Sequence, residues 1–271
     1  MRLRVSFILL FSFALALFSG LLVGRELIFQ QVSFVEDSAS VANAGYLFLY
    51  IVFATAVMLV LLHYYKGKKL FLAAELLLEF SSMQILLSLF IDGTVAFVLA
   101  VLLVLLRLLK PGLKQPLLFA SCVVVGALLG SSLDLVPAVV LSALLAAYDY
   151  FAVFRSKHMV TLAKELGKRQ AAFAIEFKTA PWKGKEKPRV KKEGGAAESV
   201  LLGTGDFVIP IMICVSVLKT SVFSAVVTAL GAFVGLSVLL YVMEKTRGYY
   251  PALPPIVLFS ALFYSASLLF A

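Results

Sequence analysis

Charge is what this 271-residue sequence has least of. Asp, Glu, Lys and Arg make up only 14% of it, against about 25% in a soluble domain, while 62% is hydrophobic. That balance excludes an ordinary soluble fold. Histidine occurs twice, at His63 and His158. There is no His-Glu-x-x-His, which excludes a zinc protease of that kind. No histidine follows Gly235-Leu236-Ser237 to complete a Ser-His site. The two cysteines, Cys122 and Cys214, both lie in apolar runs, so they give no disulfide framework and read as small buried residues. Alternation of apolar and polar residues is scarce, which argues against a transmembrane barrel. No motif asks for a metal or a cofactor, and none is expected. The net charge of +9 does not indicate nucleic acid. Its basic residues cluster between apolar blocks, where topology and anionic headgroups account for them.

What fills the chain is apolar blocks long enough to cross about 30 Å of hydrocarbon. They predict an all-α membrane protein with nine transmembrane helices. The first block, 5–23, is longer than the about 7–15 apolar residues of a signal peptide. Ala14-Leu15-Ala16 lies inside the run, so an uncleaved helix is expected. A polar loop over 25–45 leads to spans at 46–62, 70–91, 94–109, 117–135 and 137–154. Further spans are expected at 200–218, 221–243 and 251–271. Asp92-Gly93 makes a tight turn, and the prolines and glycine of 110–116 stop a helix. Ser121, Gly126, Gly130, Ser131 and Ser132 suit close helix packing in lipid. The chain thus divides into residues 1–154 with helices one to six, a polar cytoplasmic loop at 155–199, and residues 200–271 with helices seven to nine. Within the loop, 157–177 reads as an amphipathic surface helix and 178–198, rich in Lys, Gly and Pro, as mobile chain. With the N-terminus cytoplasmic, every Lys and Arg except Arg25 and Lys219 falls on the cytoplasmic side, the arrangement that the positive-inside rule selects.

Leaving aside Asp134 at the very end of the fifth span, four acidic residues fall inside predicted spans: Glu75, Glu79, Asp149 and Asp206. Glu75 and Glu79, four apart, share a helix face and read as interfacial carboxylates snorkelling or pairing with Lys66, Lys68 and Lys69, with a role in an ion path as the alternative. Asp149 and Asp206 need more explanation, since an ionised Asp deep in a bilayer costs about 2.5–3.5 kcal/mol on the lenient scale. Asp149 lies near the cytoplasmic end of span six and Asp206 near the cytoplasmic start of span seven. Adjacent antiparallel spans therefore carry them at similar depth. Two carboxylates that close tend to share one proton. The charged member can then deprotonate water while the neutral one donates to a carbonyl, as in aspartic proteases. A structural hydrogen bond between helices is the plainer alternative. Gly203 and Gly205 flank Thr204 and let the backbone bend or approach another chain closely. Pro251-Ala252-Leu253-Pro254-Pro255 opens the last span from the same side. It is either a proline-tolerant first turn or an extended stretch lining a wet cavity.

Tyr148-Asp149, Gly203-Thr204-Gly205-Asp206 and Pro251-Ala252-Leu253, in that order on spans six, seven and nine, resemble the presenilin and signal peptide peptidase family. Residues 148–154 and 205–210 look most like the signal peptide peptidase branch, and the orientation is that of presenilin. Thr204 departs from the Leu common at its position. The resemblance implies a presenilin-like fold and an intramembrane aspartyl protease with Asp149 and Asp206 as catalytic pair. It implies substrate contacts from Tyr148, Gly203, Thr204, Gly205, Pro251, Ala252 and Leu253. Substrates would be transmembrane helices or signal peptides, opened locally and paired to an enzyme strand. Multi-pass insertion in the cell membrane is expected, without obligatory partner subunits and with homo-oligomerisation open. The rival reading, from another class, is a cation or proton channel or transporter using the same carboxylates, although no internal repeat of the transporter kind is seen.

Overall fold

The computed structural model describes residues 2–35, 37–64, 69–154, 174–178, 199–246 and 250–269. Nine α-helices occur among them: α1 (Arg2–Phe29), α2 (Val41–Tyr64), α3 (Lys69–Ser88), α4 (Gly93–Leu109), α5 (Lys114–Ser132), α6 (Leu135–Phe154), α7 (Gly205–Leu218), α8 (Val222–Thr246) and α9 (Leu253–Ser267). A 3-10 turn, Pro111–Leu113, precedes α5, and two short strands, β1 (Ala174–Lys178) and β2 (Ser199–Gly203), precede α7. Six helices are long and apolar enough to cross a membrane, while Gly93–Leu109, Gly205–Leu218 and Leu253–Ser267 are shorter.

The helix ends follow local chemistry. α1 runs past Arg25 and Glu26, because a helix is not obliged to stop where the hydrocarbon does. It closes with the Val32 N–H on the Leu27 carbonyl (2.9 Å) and the Gln31 N–H on Ile28 (3.1 Å), a Schellman turn that places Gln31 at φ 54°. The loop expected over 25–45 is therefore only the 30–40 connection. Asp92 caps α4 by accepting from the Thr94 N–H at 3.0 Å. Pro116 sits in the first turn of α5, where its missing N–H costs nothing.

Two expectations fail at the seventh span. Residues 199–203 are strand, paired antiparallel with 174–178 in the register Ala174 to Gly203, and the helix starts only at Gly205. The same pairing takes 174–177 out of the predicted amphipathic helix. The rest of that helix, 157–173, and the 179–198 half of the loop lie outside the described residues.

α7 is the centre of the bundle, packed on α1, α5, α6, α8 and α9. Its residues Ile209 to Val217 are all buried, as a helix apolar all round requires. Lipid outside the bundle leaves little hydrophobic gain from burial, so close van der Waals contact has to hold the helices together. Small residues provide it. Gly20 and Gly24 of α1, and Gly126 and Gly130 of α5, face Ile211 and Val215 at distances where a Cβ would overlap them. Gly231 and Gly235 of α8 do the same against the α9 backbone.

At the far end of α7 from Asp206, Lys219 donates to the Leu133 carbonyl (3.0 Å) and to Asp134 (2.9 Å). The Asp134 N–H donates to the Ser38 carbonyl at 2.9 Å, tying the 30–40 connection to the α5–α6 turn. Glu75 and Glu79 overturn their expected partners. They are fully enclosed and meet Arg107 of α4, at 2.7 Å through Nη2 and 3.1 Å through Nε, with Lys114 3.5 Å from Glu75. The planar fork of Arg107 serves two carboxylates at once, which a lysine cannot do. Lys66 and Lys68 lie outside the described residues.

Candidate active site

Asp149 lies in the last turns of α6 and Asp206 is the second residue of α7. The two helices pack together, and their carboxylates are near enough to repel one another electrostatically. Each is also held by a backbone donor. The Leu253 N–H donates to Asp149 Oδ2 at 3.3 Å. This donor is available because Leu253 starts α9, where N–H groups have no intrahelical acceptor. Pro251, Ala252 and Leu253 are buried. On the other side, the Gly203 N–H at the end of β2 donates to Asp206 Oδ2 at 3.2 Å.

The start of α7 is fixed from both flanks. Phe207 is fully buried, its ring 5.7 Å from Phe13 of α1 and 6.0 Å from Phe119 of α5. The Thr204 carbonyl accepts the N–H groups of Phe207 (3.2 Å) and Val208 (3.1 Å). Pro210 sits inside α7 and has no N–H to give the carbonyl four residues earlier, that of Asp206. The usual i+4 donor to that carbonyl is therefore missing beside the carboxylate. A Cβ at Gly205 would meet nothing within 4 Å, so packing within the protein does not demand glycine there.

A family model described as signal-peptide peptidase, presenilin aspartyl protease matches residues 8–259. The chain belongs to this family. Two solved structures, each a presenilin family intramembrane aspartate protease, one in space group C222 and one in P2, are similar to this aspartyl protease chain over almost its whole length. The first is 25% identical with a TM-score of 0.68, covering 97% of this chain and 99% of its own. The second is 25% identical with a TM-score of 0.67, covering 96% and 97%. No curated protein matches significantly. The fold is presenilin-like, the protein is multi-pass, and its activity is that of an intramembrane aspartyl protease.

Of the residues singled out from sequence, the fold of this family member pairs Leu253 with Asp149 and Gly203 with Asp206 by hydrogen bonds, on two helices that pack together. Tyr148 is half-buried on α6, and no hydrogen bond or ring contact joins it to the carboxylates among the described residues. Sequence reasoning missed two supports. Phe154 of α6 meets Tyr250 edge-on at 6.2 Å, which holds the approach to α9 against α6. β1 is the other, and its signal, alternation over 174–178, was masked by the helical pattern before it.

Proposed function

We propose that Asp149 and Asp206 form the catalytic dyad that hydrolyses peptide bonds within transmembrane segments or signal peptides. One observation carries this reading. Two carboxylates on facing helix ends are each anchored by one backbone N–H, in the only close acidic pair found at the start of α7 among the described residues. Such a pair holds a single proton between its members. The ionised carboxylate takes a proton from water, whose oxygen attacks the scissile carbonyl carbon, while the protonated one donates to the carbonyl oxygen. The tetrahedral intermediate then collapses as a proton passes to the amide nitrogen, and the C–N bond breaks.

Substrate contacts fall to Tyr148, Gly203, Thr204, Gly205, Pro251, Ala252 and Leu253. The open space at Gly205 favours close approach of an extended substrate backbone there. The chain is read as crossing the cell membrane nine times with its N-terminus cytoplasmic. The charge asymmetry of its connections supports that. α7 and α9, too short to span alone, would be completed by β2 and by the segment before Leu253. No obligatory partner subunit is invoked. The pairing of Glu75 and Glu79 with Arg107 and Lys114 takes two further carboxylates away from any cation path.

The test is the pH dependence of cleavage of a single-span peptide by the purified chain. A dyad sharing one proton gives a bell-shaped profile. A flat profile over several pH units refutes it, as would cation flux into liposomes with no proteolysis.

A further inference from the structure

A pocket of about 220 Å³ lies away from the carboxylates. Lys219, which lines it, directly follows α7, whose second residue is Asp206. The pocket is thus at the other end of that helix, about 20 Å away at about 1.5 Å per residue. Leu27, Ile28 and Val32 give it an apolar wall, and Gln31, Ser33 and Lys219 a polar rim.

The rim is rich in donors that lack acceptors. Lys219 uses two of its three N–H groups, on Leu133 and Asp134. The Gln31 carboxamide and the backbone N–H groups of Ser33 and Val35 have no protein acceptor among the described residues. Asp134, although bonded to Lys219, does not line the pocket, and among the described residues neither does any other carboxylate. Unused donors and one cation complement an anion. The apolar wall complements what a lipid carries beside its anion.

We infer that this pocket binds the phosphodiester of a glycerophospholipid headgroup, seated against Lys219 in the leaflet opposite the carboxylates. The bound headgroup would bridge the 30–40 connection to the end of α7, the helix that carries Asp206 at its other end.

Native mass spectrometry of the full chain, loaded in detergent with phosphatidylglycerol, diacylglycerol or inorganic phosphate, tests this. Diacylglycerol shares the acyl chains but lacks the phosphate. The wild type retains phosphatidylglycerol about tenfold better than diacylglycerol, the worth of one charge-assisted hydrogen bond. Lys219→Gln removes that preference. Ser33→Glu removes it too, by placing a like charge at an exposed position while leaving the Lys219–Asp134 pair intact, so it decides the matter if Lys219→Gln fails to fold. Equal retention of the two lipids by the wild type overturns the proposal, as does an unchanged preference in Ser33→Glu. Binding of inorganic phosphate without selective retention of phosphatidylglycerol also overturns it, in favour of a free anion.

Discussion

Gly235→Ala offers a mechanical test of how the Asp149 site is held. A Cβ at this position of α8 would stand 2.7 Å from the Pro255 carbonyl oxygen and 2.8 Å from Ile256 Cα. Both are backbone atoms, so no side-chain rotation relieves the overlap. Ordinary contact begins near 3.4 Å, and the start of α9 must therefore withdraw by about 0.7 Å, at a cost of about 1–3 kcal/mol for overpacking. Two residues earlier, the Leu253 N–H reaches Asp149 at 3.3 Å, close to the limit of about 3.2–3.5 Å beyond which such a bond is lost. The withdrawal breaks it and shifts the carboxylate. A displacement on the order of 1 Å can cost about 100-fold in rate, so kcat for a single-span peptide falls about 10- to 100-fold with KM little changed. Gly45→Ala in α2 is the control. Its Cβ meets nothing within 4 Å, so kcat stays unchanged and stability rises by about 0.5–1 kcal/mol. Wild-type kcat in Gly235→Ala would refute the idea that the start of α9 positions Asp149.

Arg107→Met strands two enclosed carboxylates and lowers unfolding stability by about 3–5 kcal/mol, whereas Lys114→Met, at a partly exposed site, costs under about 1 kcal/mol; equal losses in denaturant titrations would contradict the assignment of Arg107 as the shared partner. The hydrogen bond from Lys219 is the main cause holding the Asp134 carboxyl below its ordinary value, with Ser38 adding to it. A lowered native pKa stabilises above the ordinary aspartate value of about 3.9 and loses that stabilisation as the pH falls through the native value. Melting curves of wild type and Asp134→Asn should therefore differ slightly near neutrality and converge in acid, and a difference constant with pH would count against the pair. Gln31→Gly relieves a left-handed residue at the end of α1 and should raise stability by about 1 kcal/mol, read by thermal unfolding.

The placement of Asp149 and Asp206 at one end of adjacent helices was legible because both facts are one-dimensional. Depth follows from position in an apolar run, and direction follows from where Lys and Arg fall. The start of α7 was not legible. Val200-Leu201-Leu202 is as apolar as any helix turn, and what makes it strand is pairing with 174–178, far away in sequence; strand formation answers to such neighbours more than to local preference. The partners of Glu75 and Glu79 were hidden for a similar reason. Sequence distance favoured the lysines next to them, whereas packing of α3 on α4 delivered Arg107. A lone Arg in the apolar run of α4, with two unpaired carboxylates nearby, was the cue.

The central claim is that Asp149 and Asp206 act as one acid–base unit on water, and turnover of a single-span peptide by purified wild type, Asp149→Asn and Asp206→Asn in one detergent tests it most directly. Asn keeps the size of the side chain and removes its proton chemistry, so the account predicts that each substitution alone lowers turnover by about 10⁴-fold, with the helical fold retained by circular dichroism. Turnover within about tenfold of wild type in either variant would contradict it.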